Sequence, residues 1–189
     1  MEHDQASNTL VPGPSLTGTS FLEMSKSIPA DRSVTIVIFN YTQGTYLRDP
    51  KVYTYSGYNH DPPQPTIKPQ TMEACSFSKT RVVTFGSVGV LTYDICTAEG
   101  YQADGCLAVM FSVPFNYDFY KNRFAIGKFD TSVACDESLY KKMYYMDHNN
   151  FIRKAATGNS VEYQAHNLTF KATMSPQAKS VLKVEVWDK

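Results

Sequence analysis

The feature of this chain that most constrains its fold is the strict alternation of apolar and polar residues near its end. Every second residue is apolar in two stretches, namely Leu168, Phe170, Ala172 and Met174, then Leu182, Val184 and Val186. A period of two turns one side of an extended strand toward a core and the other toward water. The alternation therefore predicts half-buried antiparallel strands.

Further strand candidates begin after Arg32 and are short and rich in β-branched or aromatic residues. They are residues 34–39, 52–55, 81–85, 88–95, 106–112 and 124–129. Turn-forming residues separate them, as in the Pro-rich segment 61–65. Many short strands with turns between them predict a β-sandwich or barrel. A chain of 189 residues is long enough for one such domain with its own core.

One segment, residues 136–146, has the pattern of a helix. Asp136 is a suitable N-cap, and the residues at helical spacing on one face are Leu139, Met143 and Met146. Tyr140 and Tyr144 form a neighbouring stripe at i,i+4 spacing, displaced from that face. We expect this stripe to keep its hydroxyls near solvent.

Residues 1–30 differ in composition from the rest, with Pro and Gly among many Ser, Thr and Asn. Ser20 and Glu23 have capping-box spacing, and Ile28-Pro29 would end a helix. We predict a flexible N-terminal arm over residues 1–30, with at most about two turns of helix, and a folded domain over residues 31–189.

Charge and motifs exclude several classes of function. Lys plus Arg and Asp plus Glu both number 18, so the basic excess of a nucleic-acid-binding protein is missing. The sequence has no CxxC pair, HExxH, GxSxG, P-loop or dinucleotide fingerprint, so we expect no enzyme activity, metal or cofactor. The four cysteines are expected to be free, buried thiols. The first ten residues are polar and acidic, which predicts a soluble chain without a signal peptide.

The most informative stretch is residues 111–124, in which six of the 14 residues are aromatic. It also contains Pro114 and polar turn formers, so at least half of it should be loop. Aromatic side chains in a loop are harder to bury than those in a strand. Exposed aromatic patches mark partner surfaces, and Tyr is favoured at the membrane–water interface.

Three motifs in the right order resemble the actinoporins, the pore-forming cytolysins of sea anemones. They are Gly86–Tyr93 with Leu107–Tyr117, the tyrosine-rich Tyr140–Tyr145, and Tyr55-Ser56-Gly57. The similarity extends weakly over residues 32–189 and strongly over residues 86–145. The form resembles the actinoporin-like proteins of bony fishes more than it resembles the anemone toxins.

The resemblance implies a mainly β fold, an actinoporin-like β-sandwich of about ten strands flanked by one or two short helices. It also implies binding to choline-headgroup lipids (sphingomyelin and phosphatidylcholine), self-association on the membrane and pores that conduct cations. By position, the phosphocholine pocket would comprise Ser56, Val88, Ser112, Pro114, Tyr120, Tyr140, Tyr144 and Tyr145. Aromatic faces attract a quaternary ammonium, and hydroxyls can donate to phosphate.

The chain departs from the family in the membrane-anchoring region and in the arm. Arg123-Phe124 stands where the family has a Trp pair, and we expect Phe119, Arg123 and Phe124 to anchor the protein in the bilayer. The arm is interrupted by Pro and Gly where the family has a long amphipathic helix. We therefore expect pore activity to be weaker than in family members that carry the full helix.

Two alternatives of the same fold remain open at this point. One is a lectin-like module that binds glycans without forming pores, and the other is a lipid-binding module that retained the pocket but lost the pore arm. In the first interpretation the protein acts at a target cell membrane, with secretion by a non-classical route as one option.

Overall fold

The computed structural model describes residues 18–97 and 102–189. Those residues form a mainly β fold of two six-stranded sheets and two short helices. The helices are α1 (Phe21–Ser27) and α2 (Glu137–Tyr145). The strands are β1 (Ser33–Asn40), β2 (Tyr46–Ser56), β3 (Tyr58–Asp61), β4 (Thr66–Ile67), β5 (Thr71–Ser78), β6 (Ser87–Cys96), β7 (Ala103–Val113), β8 (Arg123–Phe129), β9 (Phe151–Ala155), β10 (Val161–Gln164), β11 (Leu168–Met174) and β12 (Lys179–Asp188). The predicted sandwich class is confirmed.

The strands of the first sheet lie in the order β10-β11-β12-β1-β5-β3, and those of the second in the order β4-β2-β6-β7-β8-β9. Within the described residues, β1 and β12 pair in parallel, with Ile36 opposite Leu182, and the other neighbouring strands pair antiparallel. The prediction of antiparallel strands therefore fails at this one pair. Alternation along a strand reports which side is buried and carries no information on the direction of a distant partner.

The main core lies between the two sheets. The alternating residues of β11 and β12 all belong to it, from Leu168 to Met174 and from Leu182 to Val186. Most of their outward-facing neighbours are more accessible: Lys171 and Glu185 are partly buried and Lys183 is exposed. The predicted alternation thus marks strands that are fully buried on the core face and less completely covered on the other.

Strands β1, β6 and β7 are buried on both faces because the helices cover the outer faces of the sheets. In β1, Ile36 faces the inter-sheet core, whereas Val37 and Phe39 pack with Met24 of α1. A second outer cluster lies between β6–β8 and α2 and includes Val90, Ala108, Met110, Leu139 and Met143. Burial on both faces explains why these strands are continuous apolar runs.

Helix α1 begins with the predicted capping box. The Ser20 Oγ accepts a hydrogen bond from the Glu23 N–H, and a Glu23 carboxylate oxygen accepts one from the Ser20 N–H, both at 3.2 Å. The helix ends before Ile28, which is fully buried, and the Lys179 ammonium donates to the Ile28 carbonyl at 2.7 Å. From Thr19 onward the segment predicted as a flexible arm therefore packs on the first sheet; residues 1–17 lie outside the described residues.

Two segments rich in β-branched or aromatic residues lie in loops. Residues 81–85, predicted as a strand, form an exposed loop between β5 and β6, so that prediction is wrong. Residues 114–122 are loop, which confirms that most of the aromatic stretch is irregular.

No helix within residues 18–97 and 102–189 has the length and apolar character to cross a bilayer.

The cysteines are free thiols, as predicted. Cys75, Cys96 and Cys106 are buried, and Cys135 is partly exposed. Burial raises the pKa of Cys106 to about 12, which keeps this thiol protonated and unreactive at neutral pH.

Phe124 occupies the inter-sheet core, and the expectation that it anchors the protein in a bilayer is wrong. Its side chain is 1% exposed and lies opposite Phe111 in the β7–β8 register. The neighbouring Arg123 points to the other face of the sheet because successive side chains of a strand alternate. Phe119, in the loop before β8, is 79% exposed.

This difference predicts opposite consequences for two substitutions of the same kind. Phe124→Ala should lower the free energy of unfolding by about 3–5 kcal/mol, because it removes a buried ring and leaves a cavity. Phe119→Ala should change it by less than about 0.5 kcal/mol. Urea unfolding followed by circular dichroism measures both. Equal losses for the two variants would contradict this core assignment.

Candidate functional site

The candidate site begins with a row of side chains across the second sheet. In the strand register Ser56 of β2 is opposite Val88 of β6, Val88 is opposite Ser112 of β7, and Ser112 is opposite Arg123 of β8. Residues directly opposite each other in a sheet project to the same face. This row therefore lies on the outer face of the sheet, beside α2.

Helix α2 brings three tyrosines to this row. It begins at the predicted N-cap, where the Asp136 carboxylate accepts a hydrogen bond from the Leu139 N–H at 3.0 Å. Leu139 and Met143 pack on the sheet as predicted, but Met146, which follows the last helical residue, is exposed. The predicted apolar face is thus one residue too long, because the chain leaves the helix at Tyr145.

Four tyrosine rings of the site form a continuous series of contacts. The Tyr140 ring lies 4.9 Å from the Tyr55 ring and 5.7 Å from the Tyr144 ring, and Tyr144 meets Tyr145 edge-on at 4.7 Å, all measured between centroids. Tyr140 is only 3% exposed, so the expectation that it keeps its hydroxyl near solvent is wrong. Burial raises the pKa of Tyr140 well above its ordinary value, with the neighbouring tyrosines adding to the effect. Tyr140 forms the base of the site, whereas Tyr145 lies at its rim.

The loop 114–122 closes the opposite side of the site and is held by Arg32. The Arg32 guanidinium donates to the carbonyls of Pro114 and Phe115 at 2.8–3.2 Å. The same group lies over the rings of Phe115 and Tyr117, at 5.4 and 5.0 Å from their centroids. These contacts fix the first half of the loop to the start of β1.

Asn122 fixes the second half of the loop. It is buried, accepts a hydrogen bond from the Tyr117 hydroxyl at 2.7 Å, and donates to the carbonyls of Ser175 and Gln177. Between these two attachments the loop exposes Phe119 and Tyr120. The aromatic side chains at its tip are therefore displayed by a backbone that is itself well anchored.

Together these elements form a solvent-open pocket of about 400 Å³. It is lined by all eight residues that the sequence resemblance predicted for the headgroup pocket, and we call it the tyrosine pocket. Six further residues line it that the prediction did not include: Tyr55, Thr84, Phe85, Gly86, Phe115 and Asn116.

The sequence offered a signal for some of these additional residues. Phe115 and Asn116 belong to the aromatic stretch already singled out, and Tyr55 precedes Ser56 in a family motif. Phe85 and Thr84 fell inside the wrongly predicted strand. Gly86 is required by close backbone contact, since a Cβ there would lie 2.0 Å from the Val113 carbonyl oxygen.

The fourteen residues that line the tyrosine pocket carry no charge. Its chemistry comes from aromatic faces and from the hydroxyls of Ser, Thr and Tyr. The Ser56 hydroxyl donates to the Gly86 carbonyl at 2.9 Å, so its proton is already used within the protein. The pocket hydroxyls of Ser112 and the rim tyrosines are further groups of a type that can donate to an anion.

A second groove adjoins the tyrosine pocket and shares Tyr120 and Tyr144 with it. Two of the three predicted anchoring residues, Phe119 and Arg123, line this groove, together with Lys121. The Arg123 guanidinium lies 5.8 Å from the centre of the Tyr144 ring. Positive charge therefore stands beside the uncharged pocket and not within it.

The fold and part of the sequence of this chain are similar to those of known proteins. The lipid binding protein Nakanori, known from a crystal structure, superposes with a TM-score of 0.65 at 10% sequence identity, covering 89% of this chain and 77% of that one. At this identity the likeness concerns the fold alone. Among curated proteins, DELTA-alicitoxin-Pse1b of Phyllodiscus semoni is 32% identical over 105 residues, which are 54% of this chain and 42% of the relative. DELTA-actitoxin-Afr1c of Actinia fragacea is 30% identical over 105 residues, 55% of this chain and 53% of the relative.

The fold and these relatives define a cytolysin-like β-sandwich. The family model described as sea anemone cytotoxic protein matches residues 30–188, so the chain belongs to that family. This confirms the resemblance to actinoporins that the sequence motifs indicated. The chain spans about half the length of the two curated relatives described above.

The role of Arg32 predicts that its removal frees the aromatic loop. Arg32→Gln should lower the free energy of unfolding by about 1–3 kcal/mol, because the carbonyls of Pro114 and Phe115 lose a charged donor. It should also accelerate cleavage by chymotrypsin within residues 115–120, which limited proteolysis with mass spectrometry detects. The exposed Arg81 provides the control, and Arg81→Gln should leave both unchanged. Unaltered proteolysis of Arg32→Gln would show that Asn122 alone holds the loop.

Proposed function

We propose that this protein binds the choline headgroup of membrane phospholipids in the tyrosine pocket and permeabilises the membrane. The observation that carries the proposal is the convergence of five tyrosines on one uncharged cavity: Tyr55, Tyr120, Tyr140, Tyr144 and Tyr145. The names of the curated relatives, which are toxins, support the second half of the proposal.

A quaternary ammonium suits this cavity better than other cations do. An amine or a guanidinium has N–H groups that need acceptors, and such ligands are usually met by carboxylates, whereas no carboxylate lines the pocket. A trimethylammonium group has no N–H to satisfy and is attracted by the faces of aromatic rings. The phosphate of the same headgroup would then accept hydrogen bonds from Ser112 or from the rim tyrosines.

Phosphatidylcholine and sphingomyelin carry the same headgroup, so pocket chemistry alone treats them alike. We propose that both bind and that sphingomyelin is the preferred lipid, as the family resemblance implies. We also propose that bound copies associate on the membrane and form cation-conducting pores. These finer steps rest on the resemblance, whereas headgroup binding rests on the geometry of the tyrosine pocket.

Loss of one aromatic face should weaken headgroup binding. Tyr144→Leu keeps an apolar side chain but removes the ring, and it should lower the affinity for phosphatidylcholine–sphingomyelin vesicles about two- to thirtyfold, since each aromatic–ammonium contact contributes about 0.5–2 kcal/mol. Tyr144 is preferred to the buried Tyr140, whose removal would also open a cavity in the fold. Vesicle co-sedimentation measures the affinity.

The matched control is Tyr163→Leu, because Tyr163 is another partly buried tyrosine and lies outside the tyrosine pocket, beside Phe170. It should leave vesicle binding unchanged. Free phosphocholine at millimolar concentration should also compete with the vesicles for the unmodified protein. If Tyr144→Leu is folded and binds vesicles as tightly as the unmodified protein, the pocket does not hold the headgroup.

Permeabilisation is a separate step and has its own test. Calcein release from phosphatidylcholine vesicles should increase when sphingomyelin is included, and Tyr144→Leu should reduce release in proportion to its loss of binding. Tight binding without release would indicate a lipid-binding module that does not form pores. Binding to a glycan array without vesicle binding would indicate a lectin-like module and would overturn the proposal.

A further inference from the structure

Residues 80–86, in the loop between β5 and β6, expose apolar side chains that do not contribute to the core. Val82 is 93% exposed, Phe85 is 63% exposed and Val83 is 38% exposed. β-Branched and aromatic residues of this kind normally lie in strands, which is why the sequence predicted a strand here. Contiguous exposed apolar residues at a loop tip mark a surface that contacts a partner. We call this segment the apolar loop.

The apolar loop stands at the mouth of the tyrosine pocket. Thr84 and Phe85 line the pocket, and Gly86 packs so closely on β7 that no Cβ fits beside the Val113 carbonyl. The hydrogen bond from the Ser56 hydroxyl to the Gly86 carbonyl fixes the end of the loop from the other side. The position of Phe85 relative to the pocket is therefore determined by the sheet.

A second loop with exposed aromatic side chains also lines the tyrosine pocket. The loop 114–122 exposes Phe119 and Tyr120, and Tyr120 lines the pocket as Phe85 does. A basic residue accompanies each loop, since Arg81 precedes Val82 and Lys121 follows Tyr120, and both basic side chains are exposed. Apolar or aromatic side chains flanked by Lys or Arg are typical of segments that enter the membrane interface.

We propose that the apolar loop is a membrane anchor, in which Val82 and Phe85 enter the interface of a choline-lipid bilayer while the tyrosine pocket holds a headgroup. The inference rests on the proposed function. A headgroup that is still part of a bilayer brings the bilayer surface to the pocket that Phe85 lines, and this brings the exposed side chains of the same loop close to the bilayer. The anchoring that the sequence assigned to Phe124 is thus provided by a segment about forty residues earlier in the chain.

The position of the apolar loop beside the tyrosine pocket favours a bilayer over a protein as its partner. A protein partner seated on the apolar loop would cover the mouth of the pocket that Phe85 lines and would compete with the headgroup. A bilayer can contact the pocket and the apolar loop at the same time, because a headgroup fills the pocket while the surrounding membrane interface meets the loop. Apolar side chains transferred into that region gain free energy in proportion to the area removed from water.

The test uses unmodified protein and variants with vesicles of equimolar phosphatidylcholine and sphingomyelin. Val82→Asp should weaken vesicle binding on the order of tenfold, because a carboxylate resists entry into the interface. Since Val82 is almost fully exposed, this change should leave the melting temperature unaltered. Leu22→Asp is the matched control, because Leu22 is also an exposed apolar residue. It follows Phe21, which packs near Val37 and Phe39 of β1. That part of β1 is distant from its Arg32 end, which holds the loop 114–122. The effect of Leu22→Asp on binding should be less than twofold.

A second pair of variants reports position directly. The fluorescence emission of Val82→Trp should shift to the blue when vesicles are added. It should also be quenched by lipids that carry a nitroxide near the headgroup end of the acyl chain. Both changes are measured as differences from the unmodified protein, which contains one Trp. Leu22→Trp should show neither change.

The outcomes separate this proposal from the one on which it rests. If Val82→Asp binds like the unmodified protein while Tyr144→Leu binds more weakly, the anchor is wrong and headgroup binding stands. The anchor is equally wrong if vesicle-bound Val82→Trp keeps the emission of a water-exposed indole, which would leave the apolar loop free for a protein partner. Failure of the unmodified chain to bind these vesicles overturns both proposals.

Discussion

The candidate site depends on the register of the second sheet. The pairing of β2, β6, β7 and β8 sets Ser56, Val88, Ser112 and Arg123 side by side on the outer face. Because side chains alternate along each strand, the same pairing turns their neighbours inward, and Phe124 is one of the residues that fill the core. A shift of one residue in the pairing of any one of these strands would exchange the pocket and core residues of that strand.

Different residues of the helix on this face attach it to the sheet and line the tyrosine pocket. Leu139 and Met143 attach α2 to the sheet, and Tyr140 is buried where the helix meets the sheet. Tyr144 and Tyr145 are more exposed and extend the aromatic surface outward. A site built on a packed helix and paired strands is held in shape before any ligand arrives, and this reduces the ordering cost of binding.

Much of the fold was predictable from the sequence because it depends on local patterns. Alternation identified β11 and β12, the capping box identified the start of α1, and Asp136 identified the start of α2. The eight pocket residues came from the family resemblance, and they do converge on one cavity. The errors have a common origin. The run 81–85 has the composition of a strand, and Phe124 lies in an aromatic stretch, but exposure is decided by what packs against a residue and not by its own type.

By itself, the sequence determined the class of the fold, the two helices and the residue types available to the site, since these follow from periodicity, capping and composition over a few neighbouring residues. Tertiary structure alone decided which aromatic side chains meet solvent. The parallel pairing of β1 with β12 and the burial of Tyr140 and Phe124 arise from contacts between segments that are far apart in the chain, and Val82 is exposed because no such segment covers it. Such contacts leave no local pattern, because a residue is buried only when a distant part of the chain covers it.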